Sequence, residues 1–269
     1  MPELPEVETI ARDLAPKLRG QRIRQIRYDD YPPVFDRHSL SPRLLRGKRI
    51  SGVERAGKFV VLRFGAENLR LAVHLRMTGQ LLFLPAKRSL PYTRAVFDLD
   101  DGKALVFADV RKFGRMRLFA GEPAATLAIG TDPFDRRLDA GGFSSLIARR
   151  TTPVKAWLLN QRYLGGVGNI YACEALFYAG IRPKRRVGKL TSAERSRLLT
   201  ALRTVLRKAI RHRGSSVDDY VDAEGLPGAF QNRLAVYGRA GMQCRRCGTP
   251  IRRIVLAQRG TFYCPHCQR

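Results

Sequence analysis

The sequence predicts an α+β chain in which one helix precedes a run of antiparallel strands, a helical half follows, and a short cysteine-held hairpin ends the molecule. Three observations carry this reading. Apolar Val7, Ile10, Ala11, Leu14 and Leu18 recur at helical spacing. Between residues 22 and 119 come eight short runs rich in branched and aromatic residues, at 22–28, 49–55, 59–64, 69–75, 80–84, 95–99, 104–108 and 115–119. Strands at that spacing form a β-sandwich or a barrel. Beyond residue 142 the period changes to that of helices, over 143–150, 154–163, 170–180 and 192–212.

The first helix spans 6–18 and Gly20 is placed to end it. Its approach, Met1-Pro2-Glu3-Leu4-Pro5-Glu6, suits a helix start, because proline fits the first turn and acids favour the positive end of the helix. The same residues also read as chemistry. Removal of Met1 would leave Pro2 with a terminal secondary amine, whose pKa of about 8 against roughly 10.4 for lysine leaves part of it neutral and nucleophilic near pH 7.5. Condensation of that amine with an aldehyde or a sugar C1′ yields an iminium, cationic without any added proton. Glu3 and Glu6 are then candidates for moving protons.

Asp101-Gly102 marks a tight hairpin between two of the strands. From 121 to 142 Gly, Pro, Ala and Asp accumulate without a period, as in a linker. The expected domains are therefore 1–125, a linker over 126–142, a helical domain over 143–235 and the hairpin over 236–269. At Gly165-Gly166-Val167-Gly168-Asn169 small residues would let a phosphate approach backbone N–H groups at a helix start, with Asn169 able to cap and to donate. The stretch 214–228 reads as a mobile segment separating the helices from the hairpin.

Cys244-x2-Cys247, sixteen intervening residues, then Cys264-x2-Cys267 is the spacing of a four-thiolate zinc site. The interval reads as a hairpin, 251–258 and 261–263, turning at Arg259-Gly260, so that Arg259 stands at a stiff tip within reach of a phosphate. Cys173 lies in an apolar run and reads as core.

Fifty Lys and Arg against 23 Asp and Glu give a formal charge of +27, and the pI is about 11.0. Such a surface favours a polyanion. No stretch approaches the 18 or so apolar residues of a membrane span, and no signal peptide opens the chain. Nucleic acid is the favoured partner.

Met1 to Thr9 (MPELPEVET), His74-Leu75-Arg76-Met77-Thr78-Gly79, Asp109-Val110-Arg111-Lys112-Phe113-Gly114, Gly166-Val167-Gly168-Asn169-Ile170-Tyr171-Ala172, Val236-Tyr237-Gly238-Arg239 and the cysteine-held hairpin, taken together and in this order, closely resemble the formamidopyrimidine-DNA glycosylases. The resemblance implies an N-terminal helix with an eight-stranded antiparallel β-sandwich, an α-helical DNA-binding domain with a helix-two-turns-helix, and a C-terminal β-hairpin zinc finger with one structural Zn2+. It implies a monomeric cytoplasmic bacterial enzyme that flips an oxidised purine out of damaged double-stranded DNA, removes it through a Schiff base, and cuts the strand by β,δ-elimination. In that scheme Pro2 is the nucleophile, Glu3 and Glu6 the carboxylates, and Lys58 a proton donor and phosphate contact near the lesion. Asn169 and Arg259 clamp phosphates, and His74 and Lys155 are further candidates for the DNA face. Met77, Arg111 and Phe113 fill the hole left in the base stack.

One departure stands out: many relatives carry a basic residue where Asp218 stands, in the loop that covers the extruded base, so lesion preference or loop order is expected to differ. Two other readings compete. An endonuclease VIII-like enzyme for oxidised pyrimidines is disfavoured by Glu3-Leu4-Pro5-Glu6 and by the Met77, Arg111, Phe113 trio. A non-catalytic zinc-ribbon binder of nucleic acid explains the charge and cysteines but leaves the terminal Pro-Glu without a task.

Overall fold

The computed structural model describes every residue except 66–67, 87–89 and 148–149. The chain forms two compact units, one of residues 1–128 with 212–231 and the other of residues 129–211 with 232–269.

In the first unit, helix α1 (Leu4–Leu18) begins on a reciprocal capping box, with Glu3 as N-cap and Glu6 three residues on. Its stripe of Val7, Ile10, Ala11, Leu14 and Leu18 is buried as the period requires. Eight strands follow: β1 (Ile23–Tyr28), β2 (Ile50–Ala56), β3 (Phe59–Phe64), β4 (Leu69–His74), β5 (Gly79–Pro85), β6 (Thr93–Leu99), β7 (Lys103–Asp109) and β8 (Arg115–Ala120). They pair antiparallel as two four-stranded sheets, in the orders β1-β6-β7-β5 and β2-β3-β4-β8. The sandwich expected from the resemblance is present and no barrel closes. Both sheets and α1 bury side chains in one core: Ala95, Phe97, Leu105 and Phe107 come from the first sheet, Val60, Leu62, Leu71, Val73, Met116 and Leu118 from the second. Each such Val, Leu, Met or Phe side chain contributes about 1.5–3 kcal/mol on burial. The turn at Asp101-Gly102 forms as expected, with the Asp101 carboxylate accepting the Lys103 N–H at 3.0 Å.

Residues 214–228 do not act as a free spacer between the helices and the hairpin. The 212–231 segment folds back onto the first unit. The Ala223 carbonyl accepts the N–H of Phe83 at 3.1 Å. Arg213 donates to Asp13 on α1 at 2.6 Å and to Asp222 at 2.5 Å. Asp222 in turn accepts the N–H groups of Glu224 and Leu226, both at 2.9 Å. Side chains thus satisfy a backbone that has no ladder of its own, which is why the segment shows no period in sequence.

The second unit holds α3 (Ala140–Ile147), α4 (Val154–Leu159), α5 (Asn169–Ala179) and α6 (Ser192–Arg211), preceded in the chain by the short α2 (Pro123–Thr126) of the first unit. Helix α3 starts three residues before the expected 143; part of its expected end, 148–149, lies outside the described residues. Helix α4 ends at Leu159 instead of 163, because Asn160 opens a turn whose side chain accepts the Arg162 N–H at 3.0 Å. Residues 133–138, which carry no period, are pinned to α6: Arg203 donates to the carbonyls of Pro133, Asp135 and Leu138. The terminal hairpin is β9 (Arg252–Leu256) with β10 (Arg259–Tyr263). Its turn lies at Ala257-Gln258, both at positive φ, and not at Arg259-Gly260. Arg259 is therefore the first strand residue, paired with Leu256, and remains exposed.

Candidate active site and metal centre

In the first unit residues 2–7 are withdrawn from water, while Met1 is exposed. Pro2 is buried, and Glu3 and Glu6 are 3% and 1% exposed. Glu6 holds the terminus to the folded-back segment: one carboxylate oxygen accepts the Glu3 N–H at 2.8 Å, the other the Ser215 N–H at 2.8 Å. Tyr220 donates to the Glu6 carbonyl at 3.5 Å, and burial, followed by the nearby Glu6 charge, raises its phenol above the ordinary tyrosine range. Gly214, at φ +81°, lies so close that an added Cβ would stand 2.7 Å from a Glu6 carboxylate oxygen. The Met1 amine is 3.7 Å from Asp218 on the same segment.

Lys58, 7% exposed, sits in the β2–β3 turn directly after Gly57. Arg55, at the end of β2, bonds Glu8 in α1 at 2.8 Å, which draws this turn toward the first turns of the helix. His74 ends β4 and stands edge-on to Phe59, ring centroids 4.7 Å apart. Burial, then the charges of Arg76 and Lys58, lower its pKa to about 3. Its Nδ1 accepts the Arg76 N–H at 3.1 Å, so the neutral ring carries its proton on Nε2 as a donor.

Met77 and Phe113 are exposed, at 38% and 49%, on the loops after β4 and β7, and the Arg111 guanidinium lies 4.8 Å over the Phe113 ring. One buried acid holds both loops. Asp109 accepts the Thr78 hydroxyl at 2.5 Å, the Gly114 N–H at 2.7 Å and the Arg111 N–H at 3.3 Å. The Thr78 hydroxyl also accepts the Arg111 N–H at 3.2 Å, so the two loops are strapped together.

In the second unit the Gly260 carbonyl is a meeting point. It accepts from the Asn169 side-chain amide at 3.0 Å and from Lys155 at 3.2 Å, and Lys155 also bonds the Thr261 hydroxyl at 2.5 Å. Lys155 is fully buried; it supports the hairpin beside Arg259 and is not itself on an open face. Asn169 does not cap α5, whose N-cap is Gly168; its side-chain Oδ1 is buried without a hydrogen-bond partner among the described residues.

The sulfurs of Cys244, Cys247, Cys264 and Cys267 all lie within 4.8 Å of one another, with Cys247–Cys264 at 3.5 Å and Cys244–Cys267 at 4.0 Å. Zinc–sulfur bonds of about 2.3 Å in a tetrahedron put sulfurs about 3.8 Å apart, so the four residues fit one structural Zn2+. Burial, then the neighbouring sulfurs, push the Cys267 thiol up to about 12. Such a cluster holds several thiolates only around a cation.

Across the whole chain this arrangement coincides with one family. The family models for the formamidopyrimidine-DNA glycosylase N-terminal domain, the H2TH domain of the same enzymes, and the zinc finger found in FPG and IleRS match residues 1–116, 129–221 and 243–269. The chain belongs to the formamidopyrimidine-DNA glycosylase family. It is 42% identical over 273 residues to the formamidopyrimidine-DNA glycosylase of Herpetosiphon aurantiacus, covering 100% of both chains. It is 45% identical over 262 residues to that of Moorella thermoacetica, covering 94% of each. The crystal structure of the MutM (Fpg) protein of Thermus thermophilus superposes with a TM-score of 0.88 at 41% identity, covering 99% and 98% of the two chains. Lactococcus lactis Fpg in complex with abasic-site DNA gives 0.88 at 34% identity, covering 99% of each.

Within each unit, several residues that hold the candidate residues in place carry no role in the sequence reading. Thr78 and Asp109 strap the two loops. Gln161 shapes the glycine turn: its side chain accepts the Gly166 N–H at 2.9 Å and donates to the Val167 carbonyl at 2.7 Å. Glu174, buried at 0% exposure, accepts the N–H groups of Ala235, Val236 and Tyr237 at 2.8–2.9 Å, fixing the entry to the finger; burial raises its pKa against those bonds. Glu174 had a signal, a lone acid inside the apolar run 170–179. Ser215 had none, because its part is played by a backbone N–H.

Proposed function

We propose that this chain removes oxidised purines from duplex DNA and cuts the strand at the resulting site. The reading rests above all on two carboxylates, Glu3 and Glu6, buried beside Pro2 at the start of α1. In the mature chain, Met1 removed, the Pro2 nitrogen attacks C1′ of the damaged nucleotide, the glycosidic bond breaks, and the base leaves with a proton. The C1′–O4′ bond opens as Glu3 gives O4′ a proton, and C1′ becomes a cationic iminium on Pro2. That cation acidifies C2′; loss of its proton expels the 3′ phosphate, a second elimination expels the 5′ phosphate, and water releases Pro2. Glu6 keeps the terminus and the 212–231 segment in register through its bonds to Glu3 and Ser215. Lys58, His74 through Nε2, Asn169 and Arg259 serve the phosphates, and Lys155 holds the hairpin that carries Arg259.

Met77 and Phe113 wedge into the stack where the base has left, at a cost of a few kcal/mol that damage lowers. Arg111 faces the partner base. A guanidinium only donates, so it suits cytosine, whose N3 and O2 both accept, over adenine, whose N6 donates beside N1. Cutting opposite adenine would fix a mutation. The test is hydride trapping: borohydride added during turnover of an 8-oxoguanine duplex reduces the iminium to a stable amine and leaves a protein–DNA adduct on Pro2. Absence of the adduct, or its mapping to a lysine, removes this mechanism. Faster trapping on thymine glycol than on 8-oxoguanine would move the substrate to oxidised pyrimidines.

A further inference from the structure

We infer that the first unit carries a second nucleic-acid-binding surface, a basic cleft at the far end of the sandwich that takes the phosphate backbone of a second DNA segment. The cleft encloses about 740 Å³ and is lined by Arg24, Arg43, Arg46, Ile26 and Tyr28, among others. Its place follows from the strand register. The Met77 loop enters β5 at Gly79 and the Arg111 loop leaves β7 at Asp109, and these two residues pair. The cleft lies at the other end, where Gln25 pairs with Asp98 and Asp98 with Ala104. From Gly79 to Pro85 at about 3.3 Å per residue, the two ends stand roughly 20 Å apart.

Three features give the cleft its ligand. First, Arg24, Arg43 and Arg46 are exposed, and none of their guanidinium groups enters a hydrogen bond or ion pair among the described residues. Guanidinium groups keep their charge at every physiological pH, so the fold holds three like charges around one concavity whose lining carries a single acid, Asp98. Second, the acid that lines the cleft, Asp98, is already engaged by Arg27 at 3.1 Å. Third, the charge extends past the cleft: residues 19–49 hold nine Lys and Arg against three Asp, with Arg22 and Arg49 meeting in a β-bridge at its flank. A stripe of that length outreaches a single nucleotide and suits an extended polyphosphate, and arginine forks match phosphate oxygens. Holding one duplex at the Arg111 loops and a second at this cleft would let the chain pass between DNA segments without full release.

The test starts from the full-length protein saturated with a short duplex bearing a non-cleavable abasic analogue. A second, undamaged fluorescent duplex is then titrated and its anisotropy followed over a series of salt concentrations. The wild-type protein should bind the second duplex with a salt slope of about −0.9 per phosphate neutralised. R24Q/R43Q/R46Q should weaken that binding by about tenfold or more and reduce the slope by about 3. R24K/R43K/R46K should retain it within about threefold, and cleavage of a short lesion duplex should be unchanged in both variants. Failure of wild-type protein to take up the second duplex would overturn the proposal, as would an unaltered slope in the glutamine variant. Complete displacement of the second duplex by equimolar mononucleotide, or by a glutamate-rich peptide, would assign the cleft to that ligand instead and equally overturn it. Should the triple glutamine variant fail to fold, the single variants R24E and R46E carry the test, each with a loss of about threefold or more. The readout involves no chemistry on the lesion, so it stands or falls apart from the hydride-trapping experiment.

Discussion

At the amino end, the proposed reactivity rests on carboxylates taken out of water and held by backbone N–H groups; at the carboxyl end, placement of an exposed arginine rests on a hairpin tied by four sulfurs. Glu3 and Glu6 are almost fully buried, and one of the Glu6 partners, Ser215, lies more than two hundred residues away in the chain. Arg259 is exposed, and its hairpin is secured from beneath by Lys155 and Asn169. The first region spends stability on desolvated acids, a cost that the proposed proton transfers would explain. The second takes its rigidity from metal–ligand bonds, so its failure mode is loss of metal. Chemistry and grip should therefore be separable.

The largest effect should come from Glu3→Gln. An amide cannot deliver the proton that opens the sugar, so base release should fall by about 10²–10⁴-fold while affinity for an abasic-analogue duplex stays within about twofold of wild type. A loss confined to affinity would dissolve the division between the two regions. Next comes the metal. Cys244→Ser, or removal of zinc by a chelator, should loosen the finger and weaken duplex binding by about two orders of magnitude, since structural zinc couples directly to folding. Borohydride trapping at saturating DNA should survive. Tight binding by metal-free protein would show that the four sulfurs do not govern the grip.

The two regions were unequally legible in sequence. The finger announces itself because metal geometry imposes a spacing on Cys244, Cys247, Cys264 and Cys267 that chance seldom matches. Its turn was misplaced by two residues: Ala257 and Gln258 adopt positive φ, a conformation that Arg259-Gly260 advertises and the actual turn residues do not. The sandwich strands were legible from their branched and aromatic residues, and β3 matches its expected limits, 59–64. The folded-back 212–231 segment was not, because its contacts are polar and non-periodic and its anchors, Asp13, Glu6 and Phe83, are distant in the chain. Lys155 was legible as a cation and not as a buried one; only the tertiary fold supplies the Thr261 hydroxyl and Gly260 carbonyl that satisfy it.

Within the first unit, Arg111→Ala should sharpen the contrast between wedge and reader. The wedge residues Met77 and Phe113 would remain, so cutting opposite cytosine should fall only modestly, while the preference for cytosine over adenine should shrink by about tenfold, the scale of one base-specific contact. An unaltered ratio would place the discrimination elsewhere in the loop pair that Asp109 and Thr78 hold together.

The smallest effect concerns His74, and its sign is definite. Its folded pKa is lowered to about 3 from 6.5, so between those values the unfolded chain binds a proton that the folded chain refuses. Stability then rises with pH across that window: the contribution of His74 is complete above about 6.5 and is lost as the pH falls toward 3. His74→Gln removes the titrating group while keeping a polar side chain beside Phe59. Thermal melts from pH 4 to 7 should therefore show a shallower rise in Tm for the variant than for wild type, with the curves parallel above pH 7. Duplex affinity between pH 6 and 8 should carry no inflection from this residue, because the ring is neutral throughout and donates only through Nε2. An inflection near pH 6.5 that vanishes in His74→Gln would mean that the ring is protonated when DNA binds, and that it belongs with the exposed cations of the phosphate grip.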